Sequence, residues 1–104
     1  MAREWTGAQT GVNEKSQTRT ELPPLFRVLM HNDDYTTMDF VVEVLQKVFH
    51  KSATEANRIM LHIHHKGVGV CGVFPYEVAE TKIAQVHNLA RQTGFPLRCS
   101  LEEA

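Results

Sequence analysis

The chain has 104 residues, of which 42% are hydrophobic and 22% are charged, and its formal net charge is -1. This balance is ordinary for a soluble globular protein and gives no basic footprint for nucleic acid or an anionic membrane. The length fits a single small domain, and we expect a monomer whose partners are proteins or peptides.

Two cysteines, Cys71 and Cys99, are isolated from each other and lie outside any C-x-x-C pattern. They predict neither a disulfide framework nor a zinc ribbon, and we interpret them as buried thiols in a reducing compartment. No stretch approaches the roughly 18 apolar residues of a membrane span, and the first residues lack a signal-peptide-like apolar run. A cytoplasmic location is therefore expected.

Residues 1–24 are rich in small polar side chains and balanced charges. Their apolar residues are too scattered to form a face, so we expect a disordered N-terminal extension that acts as a tether. Pro23 and Pro24 disfavour helix immediately before them, and we interpret them as a hinge to a domain over residues 25–104.

The domain opens with the apolar run LFRVLM, residues 25–30, which is typical of a strand with a buried face. Turn formers follow it. Thr36 is predicted to cap a first helix over residues 38–50, with Asp39 three residues later as in a capping box. Apolar residues recur along this helix at helical spacing.

The second helix is bounded by clear signals, because Ser52 and Glu55 form an S-x-x-E capping box and Gly67 can end the helix. Its predicted apolar face comprises Ala56, Ile59, Met60 and Ile63. The alternating segment VGVCGVF, residues 68–74, predicts a second strand whose glycines allow close backbone approach.

Pro75 suits the first position of a third helix, which Gly94 can end. Its predicted apolar stripe comprises Tyr76, Ala79, Ile83, Val86 and Ala90. Residues 96–101 give a last short strand. The order β-α-α-β-α-β predicts an α+β fold, with three helices packed on a small, three-stranded, largely antiparallel sheet.

Two polar clusters could carry chemistry. Asn32, Asp33 and Asp34 follow the first strand, and taken alone they are interpreted as turn formers. Three histidines end the second helix, but His62 and His65 share no face with His64, no Cys joins them, and H-E-x-x-H is absent. We therefore predict no metal and no cofactor.

An enzyme would have to pair one of the carboxylates with His64. The sequence offers no G-x-S-x-G motif, no P-loop and no Cys beside a His, so a nucleophile is missing and no catalytic activity is predicted. A general α+β protein-interaction module without N-terminal specificity is the main alternative, and a metal-dependent hydrolase is the third.

A family resemblance is carried by three ordered blocks: VLMHNDDYTTMDFVVEVLQKVF, RIMLHIHHKGVGVCGVFPYEVAETKIAQV and PLRCSLEE. Together they resemble the ClpS family, the adaptors that recognise N-end-rule substrates for the ClpAP protease. The resemblance spans nearly all of residues 25–104. It implies a non-enzymatic adaptor that binds proteins beginning with Leu, Phe, Tyr or Trp and delivers them to a AAA+ unfoldase.

The resemblance also implies a site. The rim that binds the α-amino group would be Asn32, Asp33, Asp34 and His64. An ammonium presents three donors and one positive charge, which suit amide, carboxylate and neutral imidazole acceptors. The walls that receive the N-terminal side chain would be Met30, Thr36, Met38, Val41, Met60, Ile63 and Leu97. At the mouth, Met38 would reject β-branched side chains.

A second implied surface would contact the N-terminal domain of the unfoldase through Glu77, Glu80, Thr81 and Lys82. Without the resemblance these residues would be interpreted as a solvated helix start. The N-terminal extension would be engaged by the unfoldase during delivery. Two departures are expected to matter: Thr37 stands where Pro is common and leaves the first turn less rigid, and Ile63 stands where Val is common and narrows the pocket.

Overall fold

The computed structural model describes residues 22–104, so the predicted N-terminal extension lies almost wholly outside the described residues. The elements are β1 (Leu25–His31), α1 (Met38–Lys47), α2 (Ala53–Lys66), β2 (Val68–Pro75), α3 (Tyr76–Thr93) and β3 (Arg98–Glu103). This is the predicted order. The predicted α+β fold is confirmed.

The three strands form one antiparallel sheet in the order β2-β1-β3. Along the central strand β1, Val28 and Met30 are fully buried while the residues between and beside them are partly exposed. This alternation shows that one face of the sheet meets the helices and the other does not. A bulge on β2 leaves Cys71 without a partner opposite the Val28/Leu29 step.

The start of α1 differs from the prediction, because the N-cap is Thr37 and not Thr36. The Thr37 hydroxyl accepts a hydrogen bond from the Phe40 N–H at 3.2 Å. The Thr36 hydroxyl lies in the preceding turn, where it donates to Asp33. The helix also ends earlier than residue 50, at Lys47 with Val48 as its C-cap.

At α2 the predicted cap is confirmed, since the Glu55 N–H donates to the Ser52 hydroxyl at 3.1 Å. The reciprocal half of the capping box is replaced, because the Glu55 carboxylate pairs with Arg58. Gly67 ends the helix with a φ of 90°, in the left-handed region that glycine adopts without strain. The predicted apolar face is buried as expected: Ala56, Ile59, Met60 and Ile63.

Around α3 three details are corrected. Pro75 ends β2 and is the N-cap of α3 rather than its first helical residue. Tyr76 does not belong to the buried stripe: it is 46% exposed, its hydroxyl donates to Glu80, and its ring edge meets Phe26. The last strand begins at Arg98 instead of Pro96, which has no N–H to contribute to a ladder. Gly94 ends α3 as predicted.

The single core lies between the helices and the covered face of the sheet, and it includes both cysteines as free, buried thiols. Burial raises the pKa of Cys99 to about 12 and raises that of Cys71 further. Both are therefore inert thiols rather than nucleophiles. Within residues 22–104, no helix is long and apolar enough to cross a membrane.

Candidate functional site

A cavity of about 220 Å³ opens between the turn after β1, the start of α1 and one face of α2. It is lined by Asn32, Asp33, Asp34, Thr36, Met38, Val41, Met60, Ile63 and His64. Sites for drug-sized ligands measure about 300–1,000 Å³. The smaller volume here suits a single amino-acid side chain.

Two segments distant in sequence meet at the rim of this cavity. The Asn32 N–H donates to the carbonyl oxygen of Gly67 at 2.9 Å, which joins the end of β1 to the end of α2. His64 lies in the last turn of α2, so the same contact brings its imidazole beside the polar turn. The left-handed Gly67 therefore positions the site as well as ending a helix.

The turn itself is held by Asp33. One of its carboxylate oxygens accepts from the Tyr35 N–H at 2.8 Å and the Thr36 N–H at 2.7 Å, and the other accepts from the Thr36 hydroxyl. Burial alone would raise the pKa of this carboxyl, but the hydrogen bonds from Thr36 and Tyr35 outweigh it and hold the pKa below its ordinary value. Asp33 therefore stays ionised, and both of its carboxylate oxygens accept hydrogen bonds from within the turn.

The remaining rim residues are differently placed. Asn32, Asp34 and His64 are exposed at the cavity, and within residues 22–104 their side chains form no hydrogen bonds with other protein groups. An amide oxygen, a carboxylate and an imidazole therefore converge with acceptors available to a ligand. Asp33 therefore shapes the turn, whereas the carboxylate of its neighbour Asp34 is available to a ligand.

The inner wall of the cavity is apolar. Val41, Met60 and Ile63 are buried side chains from α1 and α2, and they leave a pocket whose only polar lining is at its rim and at Thr36. Met38 is the first residue of α1 and is 44% exposed, so it stands between the pocket and solvent. Two methionines give the wall flexible, polarisable surface.

Two residues predicted for this wall, Met30 and Leu97, are not among those lining the cavity. Met30 is fully buried on the central strand, and Leu97 is buried where the chain enters β3. Leu97 instead borders a separate shallow groove with Phe95 and Pro96. The structure therefore assigns both to the core, whereas the other predicted wall residues meet at the cavity.

The residues predicted for unfoldase contact differ in their exposure. Glu77, Glu80 and Thr81 are exposed on α3. Lys82 is half-buried: its ammonium donates to the carbonyl oxygen of Val48 at 2.8 Å. It also lies 5.3 Å from the ring centre of Phe74. Lys82 therefore joins α3 to the end of α1.

The three histidines at the end of α2 do not form one cluster, but the prediction that His65 lies apart from His64 is wrong. The His64 and His65 rings meet edge to face at 5.3 Å, whereas His62 borders a different groove, with Arg58 and Val70. Within residues 22–104, no three potential ligand side chains approach closely enough to hold a metal ion.

Comparison with known proteins points to one family. The family model for the ATP-dependent Clp protease adaptor protein ClpS matches residues 21–100. A ClpS adapter protein from Rhodospirillum centenum is 58% identical over 97 residues, covering 93% of this chain and 90% of the relative. One from Desulfatibacillum aliphaticivorans is 64% identical over 84 residues, covering 81% of each chain.

A solved structure matches as well. Agrobacterium tumefaciens ClpS2 bound to L-phenylalaninamide superposes with a TM-score of 0.77 at 37% sequence identity. The match covers 80% of this chain and 100% of that chain.

Proposed function

Because this chain belongs to the ClpS family of Clp protease adaptors, we propose that it binds proteins by a bulky hydrophobic N-terminal residue and delivers them to the AAA+ unfoldase of ClpAP. It is an adaptor and not an enzyme, as the family and its relatives are named. The proposed substrates begin with Leu, Phe, Tyr or Trp.

The observation that carries the proposal is the cavity, which combines an apolar wall with a rim of free acceptors. Asn32, Asp34 and His64 would accept the three N–H donors of an α-ammonium, while Asp33 holds the turn from which the first two project. Burying one large side chain contributes about 1.5–3 kcal/mol, and each charge-assisted hydrogen bond about 1.5–3 kcal/mol. One side chain and three such bonds sum to about 12 kcal/mol at most, and after about 4 kcal/mol for lost translational and rotational freedom is deducted, micromolar affinity is reachable from one residue.

The rim would also provide the discrimination. An internal peptide bond or an acetylated N-terminus offers one N–H and no positive charge, so the acceptors around the cavity would lose their partners on binding. Sites built to hydrogen-bond a polar group can reject analogues that lack it by about 10⁴-fold or more. We therefore expect selection for free N-termini to be sharper than selection among apolar side chains.

The solved relative supports this mode of binding. L-phenylalaninamide, the ligand of Agrobacterium tumefaciens ClpS2, combines a free α-amino group with a benzyl side chain and an amide in place of a following peptide bond. It therefore has the chemistry of the first residue of a protein that begins with Phe. We infer that a Phe N-terminus occupies the corresponding cavity here.

For delivery, we propose that the exposed start of α3 contacts the N-terminal domain of the unfoldase. Glu77, Glu80 and Thr81 border shallow grooves on this helix and are available to a partner. Lys82 would support this surface from within, through its bond to Val48. Residues 1–24 remain our proposed segment for engagement by the unfoldase.

A direct test compares fluorescent peptides that begin with Phe or Leu with N-acetylated copies of the same sequence, by anisotropy titration. The proposal predicts micromolar binding of the free peptides and at least a hundredfold weaker binding of the acetylated ones. Equal binding of the two would favour the general interaction module instead. Delivery is tested by degradation of a Phe-initiated reporter by ClpAP, which should require this protein.

A further inference from the structure

Gly69 lies on β2, next to the Ile63 and His62 side chains of α2. It is buried, and it pairs with Met30 on the central strand. A Cβ atom at Gly69 would lie 2.7 Å from Cγ1 of Ile63 and 3.3 Å from Cδ2 of His62. Carbon atoms in contact are about 3.5–4.0 Å apart, so any side chain here would displace Ile63.

Ile63 has little freedom to move aside. It is only 2% exposed, and its side chain lies between β2 and the cavity, to which it contributes part of the wall. A β-branched residue in a helix is held in one strongly preferred χ1 rotamer, so rotation of Ile63 away from the strand is unfavourable. Since the surrounding core is closely packed, the cavity is the nearest space into which it could shift.

We propose that Gly69 is a positioning residue that sets the width of the side-chain pocket by letting Ile63 rest against the backbone of β2. This inference depends on the proposed function, since it concerns how wide an N-terminal side chain the cavity accepts. It also changes the expectation for the extra methylene of Ile63 relative to Val. The space left by Gly69 accommodates that methylene on the strand side, so the larger residue need not narrow the pocket.

The inference predicts a size-dependent effect. In Gly69→Ala, Ile63 is displaced toward the cavity, and peptides beginning with Trp or Phe should lose affinity by about tenfold relative to peptides beginning with Leu. This is the lower end of the range for one methylene of mismatch in an apolar pocket. Ile63→Ala removes the clashing Cγ1 atom, which Ile63→Val would keep, so adding Gly69→Ala to Ile63→Ala should change the Trp-to-Leu affinity ratio little.

Gly72→Ala is the matched control. Gly72 lies on the same strand, and a Cβ there would lie 2.6 Å from Cζ of Phe74, a similar overlap with a side chain that does not line the cavity. It controls for a methyl group added to the same strand, and because the partly exposed Phe74 ring can move aside, the Trp-to-Leu affinity ratio should stay at the wild-type value. A ratio that changes equally in both variants would overturn the inference.

The experiment is a set of anisotropy titrations with Leu-, Phe- and Trp-initiated peptides on the full-length wild type, both single glycine variants, Ile63→Ala and Gly69→Ala/Ile63→Ala. If the wild type binds none of the peptides, the proposed function fails. If the wild type binds them but Gly69→Ala keeps its affinity ratio, only the inference fails. Should Gly69→Ala not fold, a double variant as stable as Ile63→Ala supports the Gly69–Ile63 contact, and a double variant that fails to fold although Ile63→Ala folds contradicts it.

Discussion

Thr36 donates twice to Asp33, through its N–H to one carboxylate oxygen and through its hydroxyl to the other, each at 2.7 Å. These bonds close the turn between β1 and α1 and occupy Asp33 within the protein. Asp34, the next residue, is exposed at the cavity and has no such bond within residues 22–104. Two adjacent carboxylates of the same type therefore have separable roles.

Asp34→Asn should weaken peptide binding without loosening the fold. The change keeps the shape of the side chain and removes its charge. The amide oxygen can still accept from the α-ammonium, so only part of the roughly 1.5–3 kcal/mol of a hydrogen bond between charged groups is lost, and affinity should fall by about tenfold or less. Calorimetric titration with a Phe-initiated peptide measures the loss, and the free energy of unfolding should stay within about 0.5 kcal/mol.

Asp33→Asn should act through the turn. Its amide oxygen can still accept from the backbone, but the second acceptor for the Thr36 hydroxyl is gone, and about 1 kcal/mol of stability should be lost. Urea unfolding measures this effect. If Asp33→Asn leaves stability unchanged while Asp34→Asn lowers it, the two roles are assigned the wrong way round.

The sequence was sufficient where local chemistry decides the structure. Ser52 begins α2 and Gly67 ends it, as predicted, because an N-cap side chain and a left-handed glycine act on residues close to them in sequence. The choice between the adjacent Thr36 and Thr37 was wrong, because the Thr36 hydroxyl is oriented toward Asp33 in the turn and the Thr37 hydroxyl accepts from the Phe40 N–H. That orientation is set by the geometry of the turn and leaves no periodic signal.

Long-range contacts could not be predicted from the sequence. Nothing local shows that Gly69 touches Ile63, or that the Lys82 ammonium reaches the Val48 carbonyl across 34 positions of the chain. The site residues themselves were predictable only through the family resemblance, because taken alone an apolar helix face predicts core. For Met30 the core interpretation is the one that the structure supports.

Met38→Ala should broaden the set of accepted N-terminal residues. Met38 is 44% exposed at the mouth of the cavity, and shortening it would make room for the second branch of Ile or Val. We expect at least a tenfold gain for Ile-initiated peptides, since relief of about one methylene of mismatch is worth this much. Competition binding measures the gain. An unchanged ratio of Ile to Leu affinities would show that Met38 does not control access.

Acid should destabilise the domain through two histidines next to β3. His87 accepts from the Cys99 N–H at 3.1 Å, and His31 is hydrogen-bonded to Ser100 at 2.7 Å. Burial, and to a lesser extent the charge of Arg98, lowers the pKa of His31 from its ordinary value of 6.5. Burial also lowers the pKa of His87 from 6.5, with smaller contributions from Arg91 and Arg98. The unfolded chain therefore binds protons first as pH falls, and stability should be constant above about pH 6.5 and decline below it.

The measurement is the urea midpoint between pH 5 and pH 8. His87→Gln can still accept from Cys99 through its amide oxygen but does not titrate, so its stability should depend less steeply on pH than that of the wild type. His65→Gln, at an exposed position on α2, should retain the wild-type slope. A wild-type stability that rises on acidification would contradict the predicted sign.

Glu77→Lys should weaken binding to the N-terminal domain of the unfoldase while leaving the fold intact. Glu77 is exposed at the start of α3 and borders a groove with Val78 and Thr81. Reversing its charge alters a surface that is free for a partner, and the free energy of unfolding should stay within about 0.5 kcal/mol. Surface plasmon resonance with the isolated unfoldase domain measures the binding. Unchanged affinity would exclude this face.

Lys82→Met should instead lower stability. Methionine keeps the apolar stem and removes the ammonium that bonds Val48 and lies over Phe74. Loss of a charged hydrogen bond and a cation–π contact predicts about 1–3 kcal/mol, discounted for partial exposure. Lys47→Met, which breaks an exposed pair with Glu43, should cost about 0.5 kcal/mol or less. If Lys82→Met abolishes unfoldase binding but keeps wild-type stability, Lys82 contacts the partner directly and its bond to Val48 contributes nothing measurable. Reduced stability would show that Lys82 holds α3 in place.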